Sequence, residues 1–200
     1  MRQSAQPIGR RERNKRDKLE RIIAAARELF EAKGVDAVTT QQIADQADIG
    51  TGTLFLYAKS KSELLLMVQN SSYVTALQKG VADAENTSDT VEAMLAIIRP
   101  VVECNRSNVE NGRTYLREIV FGDPEEPHHR EALGMTMKTE AAVAKVLARD
   151  ERIDAGDAAV LAQIISAIMF VSMAATINAA HSIDEVLAEI ADRVRVMLRR

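Results

Sequence analysis

The stretch from Thr39 to Lys61 is rich in groups suited to holding a polyanion. Thr39, Thr51 and Thr53 offer hydroxyls, Tyr57 a phenol and Lys61 an ammonium, all of which hydrogen-bond phosphate oxygens. Gly52 and Leu56 add a close-approach position and an apolar tip, with Gln41 and Gln42 as secondary candidates. Their spacing sets them on two short helices. Thr39 is a good N-cap with Gln42 three residues on, the capping-box arrangement. Ile43, Ala44 and Ala47 then make one apolar face. Asp48-Ile49-Gly50 breaks the helix, and the chain restarts at Thr51 with Leu54 turned inward. Ser60-Lys61-Ser62-Glu63 is a second capping box, opening a third helix. A short helix, a tight turn and another short helix is the helix-turn-helix outline, whose second helix enters the DNA major groove. An ordinary helical hairpin has the same outline, so the spacing alone leaves that alternative open.

Order and identity of residues narrow it. Phe30 and Gly34 come first, then Thr39, Ile43, Ala44, Ala47 and Ile49, then Gly52, Thr53, Leu54, Tyr57, Ser60, Lys61, Glu63 and Leu64. This ungapped series, within about residues 19–64, resembles the N-terminal domain of the TetR family of bacterial transcriptional regulators. Four positions depart from the family pattern. Asp48 stands for the turn glycine, and Gly50 for a serine that would cap the recognition helix. Phe55 stands for a tyrosine that often reaches phosphate, and Ala58 for a phenylalanine that packs into the core, so the third helix is expected to be held less firmly.

Composition agrees with a helical protein. Hydrophobic residues make up 46% of the 200-residue chain, and aromatic residues only 4%. Ala, Leu, Ile, Met, Glu and Arg favour helix, and no sustained alternation argues for a sheet. The lone Cys104 rules out an internal disulfide and fits a reducing cytoplasm. The net charge of −3 hides an asymmetry: the first 63 residues carry 12 Lys/Arg against 9 Asp/Glu, the remainder 14 against 20. A basic end on an acidic body is the electrostatic footprint of a DNA-binding head.

The reading along the chain is all-α, with about nine helices. Residues 1–62 form the head, of which 1–13 are a disordered basic arm, and residues 63–200 form the body. Arg10, Arg11, Arg13, Lys15 and Arg16 read as a run that touches phosphates or reaches a minor groove. Helix 1 spans about 14–33 on a Leu19, Ile22, Ile23, Ala26, Leu29, Phe30 stripe and ends at Gly34. Helix 4, from Lys61 to about residue 82, joins head to body. Helix 5 is capped by Ser88 or Asp89, with Pro100 implying a kink or break near Arg99. A short helix 6 covers Thr114 to Phe121 and helix 7 covers about 128–149. Helix 8 opens at Asp154 to Asp157, and not one charge interrupts Ala158 to Ala180. That length suffices for a bilayer, but recurring Gln163, Ser166, Ser172, Thr176 and Asn178 argue for a helix buried by its own fold and by a partner subunit. Helix 9 spans about 183–198.

No phosphate-binding glycine loop, G-x-S-x-G or metal-spaced Cys/His cluster appears, so neither an enzyme nor a cofactor is expected. His128 and His129 are adjacent, point to different faces and chelate poorly. His181 reads as a loop or capping residue.

The resemblance implies a homodimer that binds a pseudo-palindromic double-stranded operator and is released by a small-molecule inducer. It implies DNA contacts from Thr39, Gln41, Gln42, Thr51, Gly52, Thr53, Leu56, Tyr57 and Lys61. Within the body it implies an effector site, for which Tyr73, Met94, Cys104, Asn105, Asn108, Tyr115 and Met137 combine polar tips with apolar settings. A dimer interface on the last two helices would use Ile164, Ile168, Val171, Ala175, Val186, Ile190 and Val194. The other class open at this point is a helical ligand-binding or enzymatic bundle carrying a vestigial head.

Overall fold

The computed structural model describes residues 9–198, and among them every regular element is helical. In chain order these are α1 (Arg10–Lys33), α2 (Thr40–Gln46), α3 (Thr51–Leu54), α4 (Lys61–Glu85), α5 (Thr90–Arg106), α6 (Val109–Phe121), α7 (Pro127–Leu147), α8 (Ala155–Ala174) and α9 (Ile183–Leu198). A single 3-10 turn, Thr176–Asn178, follows α8. The chain divides into two compact units, one running to Val68 and the other starting at Gln69, so α4 supplies residues to both.

In the first unit, α1 buries Ile22, Ala26, Leu29 and Phe30, with Leu19 and Ile23 half-buried beside them. Ile43 and Ala44 of α2, Leu54 of α3, and Leu64 and Leu65 of α4 complete its core. Gly34 ends α1 at φ 76°, a left-handed position that a side chain would strain. The basic run departs from expectation. Residues 10–13 are not an irregular arm but the first turn of α1, which starts four residues before the apolar stripe requires. Arg, Glu and Lys are good helix formers, Glu12 sits favourably in the first turn, and Arg16 pairs with Glu20 one turn on. The earlier part of the arm, residues 1–8, lies outside the described residues.

In the second unit α5 packs against α6, α7, α8 and α9. Pro100 does not break α5: the helix runs through it with Pro100 buried. Pro100 has no N–H to give the carbonyl of Ala96, four residues back. That carbonyl sits where α4 crosses at Gly80, whose missing Cβ would fall 2.9 Å from Ala96 O and 2.6 Å from Ile97 O. Helix 6 also starts earlier than expected, at Val109, because Asn108 caps it by accepting the N–H of Asn111 at 3.1 Å. Gly112 brings this helix hard against α5: a Cβ there would stand 2.0 Å from Asn105 O.

The charge-free run is not one helix. α8 stops at Ala174, although nothing in the apolar pattern ends there. Side chains from elsewhere take its last carbonyls: Asn178 Nδ2 donates to Ser172 O at 3.0 Å and Arg113 Nε to Ala174 O at 3.1 Å. Arg106 then fixes the return. Its side chain is buried, and Nη2 donates to the carbonyls of Asn178 (3.0 Å), Ala179 (3.4 Å) and His181 (2.6 Å). α8 is the one described helix long and apolar enough to cross a membrane, and 39% of its most apolar window is buried inside the fold.

Candidate nucleic-acid interface

In the first unit α2 packs against both α1 and α3. The α2 start is a complete capping box: Gln42 N donates to Thr39 Oγ1 at 3.2 Å, and Thr39 N to Gln42 Oε1 at 2.9 Å. Thr39 and Gln42 are thus exposed but already engaged with one another. Asp48 holds the turn at φ 53°, the left-handed conformation for which glycine is the default and aspartate a tolerated substitute. Its carboxylate lies 3.5 Å from Arg21 Nη1 of α1.

The recognition segment is short. Regular helix covers only Thr51–Leu54, after which Leu56 N bonds Thr53 O at 3.1 Å and Tyr57 N bonds Leu54 O at 2.9 Å. Leu54 and Ala58 are buried, while Gly52 and Phe55 are exposed and Leu56 is 83% exposed. Thr51, Thr53 and Tyr57 are half-buried. A Cβ on Gly50 or Gly52 would meet nothing within 4 Å, and both positions are exposed, so each has open space around it. Tyr57 OH approaches Lys15 O at 3.4 Å, which sets the exposed basic turns of α1 beside the recognition segment.

Lys61 is placed differently from expectation. Its ammonium donates to Val35 O at 2.8 Å and Asp36 O at 3.1 Å, tying the α1–α2 connection to the start of α4. Only one of its three protons remains for a phosphate. At the same helix start Ser60 Oγ caps Glu63 N at 3.1 Å, while Glu63 reaches back to Lys59 N rather than to Ser60. Ala58 keeps its place in the core at 2% exposure despite its small size.

Residues 22–68 match the family described as bacterial regulatory proteins, tetR family. Over those residues the first unit matches a TetR-family head. No curated protein matches the chain. Among solved structures, the Thermus thermophilus FadR, a TetR family transcriptional repressor in complex with lauroyl-CoA, is 21% identical. That likeness covers 90% of this chain and 92% of that one, with a TM-score of 0.66. A TetR/AcrR family regulator from Thermobifida fusca is 23% identical over 92% of this chain and 100% of its own, also at 0.66. The Bacillus subtilis FadR, in complex with stearoyl-CoA, is 14% identical over 88% and 97%, at 0.64. At these identities the likeness speaks for the fold.

The TetR-family head carries a correctable weakness at Gly50, which caps α3 with no side-chain bond. Its φ of −70° and ψ of 145° suit any residue, and the space is open. Gly50→Ser should therefore stabilise the protein by about 0.5–1 kcal/mol, through a new cap and a stiffer unfolded chain. Chemical denaturation of the two proteins checks it, and a lower midpoint for the serine form would refute it.

Beyond the TetR-family head, in the second unit, the candidate effector residues separate into three groups. Tyr73, Tyr115 and Met94 are buried. Tyr73 OH lies 2.9 Å from Thr139 Oγ1, and because Thr139 gives its own proton to Met135 O, the phenol is the donor. Tyr115 OH donates to Asn70 Oδ1 at 2.9 Å, and Asn70 Nδ2 donates to His128 O and to Glu131 Oε2. Burial pushes the Tyr73 phenol up to about 12, and that of Tyr115 higher still, so both stay protonated donors. Cys104 is half-buried nearby in sequence on α5. Asn105 and Asn108 have structural employment: Asn105 Nδ2 donates to Gly112 O at 3.2 Å and Asn108 caps α6. Met137 is 69% exposed and lines no interior. A void of about 10 Å³ beside Thr139, lined also by Ile98, Val143, Ile165 and Met169, is at the lower limit for one water. Sequence reasoning missed Asn70 and Thr139, although a polar amide inside the apolar run of α4 was a visible signal. His128 and His129 diverge, His128 Nδ1 toward Glu131 at 3.6 Å and His129 Nε2 onto Ile119 O at 3.0 Å.

The interface candidates also divide. On α8, Ile164 is 43% and Val171 63% exposed, with Val160 exposed one turn earlier and Ile168 half-buried between. Ala175 follows the helix end and is half-buried. Val186, Ile190 and Val194 on α9 do not belong to such a surface. They are fully enclosed by the protomer, where α9 packs on α5 and α8. Their clean helical spacing marked an inward face, which periodicity cannot tell from a face turned to a partner.

Proposed function

We propose that the protein is a homodimeric transcriptional regulator, a repressor whose hold on a pseudo-palindromic operator is released by a small-molecule effector. In this reading residues 1–62 bind DNA, and residues 63–200 bind the effector and dimerise. The observation that carries it is the family-matching head with an open face at Gly50 and Gly52, flanked by the hydroxyls of Thr51 and Thr53. Thr39, Thr53, Tyr57 and the α1 basic turn hold phosphates, while Thr51, Gly52 and Leu56 lie nearest the base edges, with Gln41 and Gln42 behind them. Lys61 contributes to phosphate binding with a single proton.

The deciding experiment is binding to DNA flanking the protein's own gene, titrated over salt. Specific binding with log K falling by about 0.9 per phosphate contact per decade of salt supports the reading. No sequence preference at low salt, there or in a genome-wide selection, defeats it. Replacing Arg10, Arg11 and Arg13 together by Ala should reduce that slope by about 0.9 for every phosphate no longer neutralised, with site preference unchanged. An unaltered slope would remove α1 from the interface.

Dimerisation rests on the α8 stripe of Val160, Ile164, Ile168 and Val171, which leaves apolar surface bare on a helix that carries no charge after Asp157. Ile164→Glu with Val171→Glu should convert the dimer to monomer in sedimentation, since two desolvated carboxylates in a symmetric contact become four. A double variant that still sediments as a dimer would place the interface elsewhere.

For the effector, the buried Tyr73–Thr139 and Tyr115–Asn70 pairs supply polar contacts within an apolar surround. The adjoining void is too small for any ligand beyond a water, so a ligand bound beside these pairs would have to part α7 from its neighbours. That need couples occupancy to conformation; a coupling of ~1–3 kcal/mol lowers DNA affinity ~5–150-fold. Long-chain acyl-CoA thioesters, bound by two structural relatives, head the panel for a DNA-release screen.

A further inference from the structure

We infer that Thr51 reads its base only as a hydrogen-bond acceptor, and so selects an amino-bearing base, adenine or cytosine, because Gln41 and Asp45 fix the direction of its hydroxyl. The inference rests on the DNA-binding reading above and adds the chemistry of one recognised position.

The chain of donors begins at Asp45. A carboxylate only accepts, and Gln41 Nε2 lies 2.7 Å from Asp45 Oδ1, so the amide must turn its NH2 that way. Gln41 Oε1 is thereby committed to the opposite side, where Thr51 Oγ1 stands 2.6 Å away. An amide oxygen also only accepts, so Thr51 gives its single proton to Gln41. What the hydroxyl keeps for an incoming ligand is lone pairs. Threonine is β-branched and stiff at χ1, and its backbone is held by Phe55 N bonding to Thr51 O at 3.2 Å. Gln41 and Asp45 are exposed and Thr51 half-exposed, and Gly50 and Gly52 on either side of Thr51 leave clear space for a base edge.

In the major groove adenine and cytosine present amines, whereas guanine and thymine present carbonyls at the corresponding positions. A lone pair meets an amine as a hydrogen bond and a carbonyl as repulsion. A free threonine hydroxyl can rotate to accept from an amine or donate to a carbonyl, so the discrimination belongs to Gln41. Thr51 is the reader, and Gln41 is a positioning residue.

The test is selection of sites from a randomised library with the wild type, Thr51→Val and Gln41→Ala, with melting curves confirming that each head is folded. In wild-type sites one position per half-site should hold adenine or cytosine. Thr51→Val should lose that preference and no other. Gln41→Ala should admit guanine and thymine at the same position, within a few-fold of wild-type affinity. As a chemical probe, unsubstituted purine for that adenine, or 2-pyrimidinone for that cytosine, should weaken wild type about 5- to 10-fold. Thr51→Val should be indifferent to the same change. The inference is overturned if Thr51→Val alters no position, if the altered position prefers a carbonyl base in wild type, or if Gln41→Ala keeps the amino preference. Failure of the wild type to select any site would instead refute DNA recognition itself.

Discussion

Gly52→Leu should leave the protein folded, slightly more stable, and unable to hold its operator. The position is exposed, its backbone needs no glycine, and a Cβ there meets nothing within 4 Å. Exchanging glycine for a good helix former in α3 gains up to about 1 kcal/mol. For a chain of this length that is a rise of about 2–4 °C in Tm. The same open space is what a base edge must occupy. A leucine side chain there holds the helix off the groove, and each pairing with a base edge that no longer forms costs about 1–3 kcal/mol. Specific affinity should fall by ~100-fold, equal to ~2.7 kcal/mol, with much weaker change in salt-driven non-specific binding. Fluorescence anisotropy on specific and scrambled duplexes, run beside a thermal melt, measures both halves. Wild-type affinity in a folded Gly52→Leu protein would mean that this face does not meet DNA.

The second large effect concerns the body. Arg106→Met keeps the length and apolar stem of a buried side chain but removes three donated bonds, to Asn178, Ala179 and His181. Hydrogen bonds from a charged donor contribute about 1.5–3 kcal/mol each. Against that stands a cost already present, since Arg106 Nη1 is buried without a partner among the described residues. The balance is a loss of about 3 kcal/mol, or ~6–12 °C in Tm. Arg16→Ala is the control: its pair with Glu20 is exposed on both sides, and the change should stay within about 0.5 kcal/mol apart from its effect on DNA. Equal melting temperatures for Arg106→Met and wild type would show that the α8–α9 return holds itself.

Much of the head is readable from sequence because its signals are local. Thr39 with Gln42, Gly34 and the Asp48 turn are each decided by residues two to four apart, and each appears where the spacing puts it. The structural bonds of Lys61 are hidden for the opposite reason. Its partners, Val35 and Asp36, lie in a connection that no periodicity ties to α4. The Gln41–Thr51 bond is hidden likewise, because it joins two helices across the turn. In the body, Pro100 predicts a kink or a break by local chemistry, and of the two the break does not occur: the helix continues in its packed setting beside Gly80. Arg106 stands in view as a charge at i+4 from Val102 and i+8 from Ile98, a buried face. What it binds, the end of α8, is masked by a run of residues with no charge and no turn signal.

The helix starts have a consequence for how the chain finds this arrangement. Thr39, Ser60, Asp89, Asn108, Glu126, Asp154 and Ser182 each accept a backbone N–H two or three residues ahead. Those bonds span almost no sequence, so closing them costs little chain entropy and requires no other part of the molecule. The search during folding is then largely over how preformed rods rotate and stack, rather than over where each rod begins. Such contacts belong to the fast end of folding rates, the microsecond-to-millisecond range of helical proteins. Longer chain closures are needed where distant polar groups meet in the core: Arg106 at the α8–α9 return, and Asn70 at Tyr115.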